Sequence, residues 1–250
     1  MNQNQKSSML LNLPVRNLFS FFFFLTSFFL FSSQTSFAQY QKTQKAVSEK
    51  IGSYVNAYYE SLPVDYAANP AKKYPLLIFI HGVGEVGNGS SQLSLVLRHG
   101  PPKMLNAGTF PSSFTVGGEN FSFIVISPQL TANNYTQSSN IINDVINRCK
   151  QKYRVDEQRI YLTGLSMGGT MTWQFGGNSA TNAGIIAAGL PVCASMSYNS
   201  TVIANIGKAK LAIWATINSG DPVMSSSTTS AAIAAINAFV PTPPKALVTV

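Results

Sequence analysis

Five short apolar runs, separated by stretches of helical spacing, constrain this chain more than any other feature. Residues 76–80 (LLIFI), 121–126 (FSFIVI), 159–162 (RIYL), 185–192 (IIAAGLPV) and 211–215 (LAIWA) have strand length and are apolar nearly throughout. A strand with no polar side must be covered on both faces, the situation of a parallel sheet packed between helices. Helical patterns fall between the runs, over 92–99, 140–153, 167–176 and 226–239, with Ser225 or Ser226 placed to cap the last. Upstream, 51–62 (IGSYVNAYYESL) is rich in tyrosine and β-branched residues and predicts a first strand or hairpin. The sequence therefore predicts an α/β fold: a mostly parallel central sheet with helices on both faces. No internal repeat or second domain is visible.

With 45% hydrophobic and 10% charged residues, the chain has the composition of a globular protein rather than of a disordered tail. The N-terminus places Lys6 and Arg16 before the apolar run 18–31 and a small polar stretch 32–39. That order is the pattern of a secretory leader, with Ser36 and Ala38 positioned for cleavage before Gln39. The run is shorter than the ~20 apolar residues that span a bilayer. The expectation is a leader over 1–38, one domain over 39–250, a secreted or periplasmic product and no stable membrane anchor.

Basic residues exceed acidic ones, 17 to 9, but they are scattered. Arg148, Lys150, Lys152, Arg154 and Arg159 read as the solvated face and end of a helix. Without aromatic interleaving or a reader motif, nucleic-acid binding is not expected. Cys149 and Cys193 belong to an exported chain in which a disulfide can persist, and their pairing is left open against two small buried hydrophobes. The only histidines, His81 and His99, show no metal-ligand spacing with them, so no metal is implied.

The chemistry concentrates at three strand ends. Gly164-Leu165-Ser166-Met167-Gly168-Gly169 places G-x-S-x-G between a strand and a helix, the context of a nucleophile elbow. Small residues at Gly164 and Gly168 let strand, turn and helix approach closely. The Ser166 hydroxyl then stands at a helix N-terminus, where N–H groups favour negative charge. His81-Gly82-Val83-Gly84-Glu85 follows the 76–80 run and is a glycine-rich turn able to offer an oxyanion donor, for which Val83 N–H pairs with Met167 N–H. His81 and Gly82 shape that turn. His81 precedes Ser166, whereas triads on this kind of sheet run Ser, acid, His. Asp221 lies just past the 211–215 run, where a triad acid is needed to orient an imidazole; an Asp-Pro pair also starts turns.

The segments HGVGEVGNG, RHGPPKML, FIVISPQL, RVDEQRIYLTGLSMGGTMTW, LPVCAS and IWATINSGDPV, in that order, resemble the phospholipase/carboxylesterase group of α/β-hydrolases, near secreted polyhydroxybutyrate-depolymerase-like and feruloyl-type esterases. The resemblance implies an α/β-hydrolase fold and a serine esterase, with Ser166 as nucleophile, Asp221 as triad acid, and Val83 and Met167 as oxyanion donors. It implies no cofactor, and an ester substrate that is a short acyl ester, polysaccharide-linked or a polyester. The sequence departs from the group in two places. Ile217-Asn218 stands where its members carry His-Gly, and no histidine follows the acid. The stretch 246–250 reads as the last strand cut short, so the chain is expected to be a fragment lacking the final strand and helix, and inactive alone. Two other readings are an inactive hydrolase-fold protein that binds an ester or glycan, and a site in which His99 is the base.

Overall fold

The computed structural model describes residues 40–41, 43–194, 196–239 and 246–249. The expected leader, 1–38, lies outside them. In chain order the strands and helices are β1 Tyr40–Gln41, β2 Gln44–Ile51, β3 Val55–Ser61, β4 Tyr74–Ile80, α1 Gly100–Asn106, β5 Phe110–Pro111, β6 Phe114–Val116, β7 Glu119–Phe121, β8 Ile124–Leu130, α2 Ser138–Lys152 and β9 Val155–Leu165. Then come α3 Met167–Asn178, α4 Ala180–Ile185, β10 Ala188–Val192, α5 Ser200–Lys208, β11 Ala212–Thr216, α6 Ser226–Asn237 and β12 Leu247–Thr249.

Eight strands form one sheet in the order β12-β11-β10-β9-β4-β8-β3-β2. From β8 to β12 every pairing is parallel, while β3 runs antiparallel to both β2 and β8. This is the α/β-hydrolase fold, a mostly parallel sheet with helices. Leu76, Ile78, Ile80, Ile160 and Leu162 turn to one face, where α2, α3, α5 and α6 bury Ile142, Val145, Met171, Trp173, Ile206 and Ile233 against them. Truncating a fully buried Trp173 or Phe175 to alanine is expected to cost about 3–5 kcal/mol. On the opposite face Leu105 of α1 packs with Phe110 and Val125 against Leu77, Phe114 and Phe123.

Four expected elements move. The 121–126 run divides: Phe121 closes the β6–β7 hairpin, and β8 starts at Ile124 and continues through Pro128 to Leu130. Proline cannot donate to a ladder and is excluded from a strand paired on both sides. Here β4 pairs with β8 only as far as Ile126, so Pro128 faces Tyr58 of β3 alone. The 185–192 run splits into the end of α4 and β10, and the expected helix 92–99 is a 3-10 helix, Leu93–Arg98. The α1 helix was hidden by Pro101-Pro102, which occupy its first turn, the place where a missing N–H costs nothing. The hairpin expected over 51–62 starts earlier, at Gln44. Ser225 does cap the last helix, its hydroxyl accepting from Thr228 N–H at 3.2 Å. Leu247–Thr249 pairs parallel with β11 at the edge of the sheet.

Candidate active site

Ser166 joins β9 to α3 in a conformation that side chains other than glycine avoid, φ 53° and ψ −109°. Such strain persists only where surrounding structure over-determines it. Its N–H donates to Val192 O of β10 at 2.9 Å, and its carbonyl accepts from Thr170 N–H at 2.9 Å. The close approach falls to two glycines. A β-carbon at Gly168 would lie 2.0 Å from Ile80 O, and one at Gly164 would lie 2.4 Å from the Gly168 carbonyl. The first turn of α3 therefore sits directly on the end of β4, where the His81–Glu85 turn begins.

That contact sets the turn that carries Val83 beside the start of α3, which carries Met167. Val83 opens a single 3-10 turn, Val83–Glu85, and Met167 opens α3. First residues of helical turns have no intrahelical acceptor for their N–H groups. A β-carbon at Gly82 would stand 3.8 Å from Ser166 Cβ and 3.0 Å from Glu85 Oε2, so Ser166 and the turn lie next to each other at that glycine.

His81 is buried, and backbone groups hold both ring nitrogens. Nε2 accepts from Leu130 N–H at 2.9 Å, and Nδ1 lies 2.7 Å from Gly82 O. Since Nε2 accepts, Nδ1 carries the proton and donates to Gly82 O. Burial lowers the pKa of His81 below 6.5, which keeps the ring neutral. His99 is half exposed at the start of α1, its Nε2 3.7 Å from the buried Glu85 Oε1. Among the described residues no hydrogen bond joins either histidine to Ser166.

Asp221 stands on the same sheet edge, past β11, with β10 between it and the elbow strand. Its Oδ1 accepts from Met224 N–H at 3.0 Å and Val223 N–H at 2.9 Å, and these bonds lower its pKa. The carboxylate thus organises a turn, as Asp-Pro suggested. Between Ser166 and Asp221 lies Cys193, just after β10, in a left-handed conformation with φ 48°. Burial chiefly, and then the Asp221 charge, push its thiol pKa up. Cys149 is buried in α2, its thiol pushed up to about 12 by burial. Both cysteines are free.

Two residues at this site carried no role in the sequence reading. Glu85 was visible only as the end of a glycine-rich turn, although an acid inside an apolar-flanked turn is itself a signal. Gln129 lay in a segment noted for its likeness alone. No helix among the described residues is long and apolar enough to cross a membrane, and none of their His, Cys, Asp and Glu side chains form a metal-binding cluster of three or more.

The family model described as Phospholipase/Carboxylesterase matches residues 65–246. Among curated proteins no sequence match is found. A thermostable esterase shares the fold at 22% identity and a TM-score of 0.55, over 84% of this chain and 54% of that one. The chain thus spans about half of that protein's length. The feruloyl esterase module from Clostridium thermocellum, complexed with sinapinate, aligns at 19% identity and a TM-score of 0.54 over 79% of this chain and 73% of that one. Esterase 2 from Thermogutta terrifontis, phosphoramylated by tabun, aligns at 12% identity and a TM-score of 0.55 over 84% and 83%.

Proposed function

This chain belongs to the phospholipase/carboxylesterase family, and from that premise we propose that its site hydrolyses carboxylic esters through an acyl-enzyme on Ser166. The observation that carries the reading is the strained Ser166 backbone at φ 53°, set at a helix start beside a turn that offers a second N–H. In the first step Ser166 Oγ attacks the ester carbonyl and gives its proton to a base. Val83 and Met167 N–H groups receive the oxyanion; the bond to the alcohol oxygen breaks, and the alcohol leaves with that proton. Water repeats the sequence on the acyl-enzyme, releasing the acid and restoring Ser166. Asp221 is assigned as the acid that would orient the base. Short acyl esters, feruloyl or acetyl groups on polysaccharide, and polyesters are the candidate substrates, and export through the 1–38 leader is part of the same proposal.

Neither histidine is assigned as that base. His81 has both nitrogens engaged, and His99 pairs with Glu85. The 250-residue chain is therefore expected to turn over little ester alone, while imidazole added in solution supplies the missing base. The test follows a butyryl adduct on Ser166 by intact mass after mixing with p-nitrophenyl butyrate, because imidazole itself releases nitrophenolate. An imidazole-dependent adduct, absent from Ser166→Ala, supports the proposal. Turnover without imidazole that His99→Ala abolishes would move the base to His99. That neither His81 nor His99 stands free beside Ser166 among the described residues favours a second reading, a catalytically silent fold that binds an ester or glycan. Saturable ester binding with no adduct under any condition would establish it.

A further inference from the structure

The turn that carries Val83 is held from one side by two successive residues of β8. Leu130 reaches it through its backbone N–H and the His81 ring. Gln129 reaches it through its side chain, which is fully buried. The Gln129 Nε2 donates to Glu85 O at 3.0 Å, the last carbonyl of the Val83–Glu85 turn, and to Gln92 O at 2.6 Å. Its Oε1 accepts from Gly89 N–H at 2.9 Å. One carboxamide thus spends both of its protons and its oxygen on three backbone groups between 85 and 92. Gly87 N–H adds a bond to Leu130 O at 3.0 Å. Gln129 lies beyond Ile126, the last β8 residue paired with β4, and its side chain points to the loop packed on that face.

We propose that Gln129 is a positioning residue for the oxyanion donor: it anchors the loop behind Glu85 so that the Val83 N–H keeps its aim at the carbonyl oxygen of an ester on Ser166. The inference rests on the acyl-enzyme reading above. His81 fixes the turn at Gly82, before Val83, and Gln129 fixes it at Glu85, two residues after. A donor held at one end alone swings. Misplacement by about 1 Å is expected to cost on the order of 100-fold in rate, comparable to the lower range for losing an oxyanion donor outright.

The test compares acylation of Ser166 in the full 250-residue chain, with imidazole present, by an aryl ester and by its thionoester, in which sulfur replaces the carbonyl oxygen. Sulfur is a weak hydrogen-bond acceptor, so the donors help the ester far more than the thionoester. Gln129→Met removes all three bonds. Gln129→Glu, nearly the same shape, can still accept from Gly89 N–H but cannot donate to Glu85 O or Gln92 O, and serves where the first variant fails to fold. The expected result is a fall of about tenfold or more in the ester-to-thionoester rate ratio, with half-saturation unchanged. A structural role alone would lower both rates together and leave the ratio as in the parent, overturning the proposal. No adduct in the parent would instead overturn the Ser166 reading, and this inference with it.

Discussion

Leu130 donates its backbone N–H to His81 Nε2 at 2.9 Å, and that bond decides the charge of the histidine. A nitrogen that accepts cannot carry a proton, so protonating His81 breaks the bond and leaves the Leu130 N–H without its acceptor.

Fold stability should therefore depend on pH through His81. Its folded pKa is lowered from 6.5 by burial, so between the two values the unfolded chain holds one more proton than the folded one. Stability then rises with pH, and it is lost as pH falls below about 6.5 with a slope of at most ~1.4 kcal/mol per unit. Urea midpoints at pH 7.5, 6.5 and 5.5 measure it. His81→Asn should be less stable than the parent at pH 7.5 and converge toward it at 5.5. A parent-to-variant gap that stays constant over this range would show that His81 binds its proton equally in the folded and unfolded chain.

The elbow glycines separate into constrained and free positions. A β-carbon at Gly168 meets a backbone oxygen at 2.0 Å, which cannot rotate away, whereas one at Gly184 in α4 meets nothing within 4 Å. Gly168→Ala should cost at least about 3 kcal/mol or prevent folding. Gly184→Ala should be neutral or stabilise by up to about 1 kcal/mol, since alanine favours helix. Thermal melting of the pair checks both signs, and equal melting temperatures would mean that α3 does not rest on Ile80.

What the sequence revealed followed how local its signals were. Apolar runs located the parallel strands, and G-x-S-x-G between a strand and a helix located Ser166, because each is a pattern a few residues long. The extension of β8 through Pro128 was not legible, since it depends on where β4 stops pairing with it. Gln129 was hidden too: a glutamine near the end of a strand says nothing until the loop it clamps is seen folded over it. Helix α5 was readable in hindsight from Asn199, whose side chain caps it by accepting from Val202 N–H, ahead of Val202, Ile203 and Ile206.

Far from the active edge, Glu49 gathers Lys152, Tyr58 and Arg148 around its carboxylate. Chiefly through the Lys152 bond, its pKa falls from 4.5 to about 2. A depressed carboxylate contributes stability that is fully present above 4.5 and is lost as pH falls toward 2. Glu49→Gln should cost roughly 1–3 kcal/mol at pH 7 and almost nothing at pH 2. A gap unchanged between the two pH values would mean that packing, not charge, holds β2 to α2.

Trp214 and Trp173 report on the two faces of the sheet. Trp173 is fully buried among the α-helices, while Trp214 is 51% exposed on the opposite face, its Nε1 donating to Thr249 Oγ1 at 3.0 Å. Around it Tyr161, Leu190, Ala212 and Leu247 line an apolar hollow of about 300 Å³, with Leu247 also exposed. Strands of a parallel sheet are apolar on both faces, and the ring environment differs between the two tryptophans. Acrylamide should therefore quench one tryptophan of the 250-residue chain and spare the other. Trp214→Phe should leave only blue-shifted, protected emission, and Trp173→Phe only the red-shifted, accessible component. Protection of Trp214 that disappears on dilution would show that a second copy covers the face at high concentration. Protection independent of concentration would contradict the exposure of Trp214.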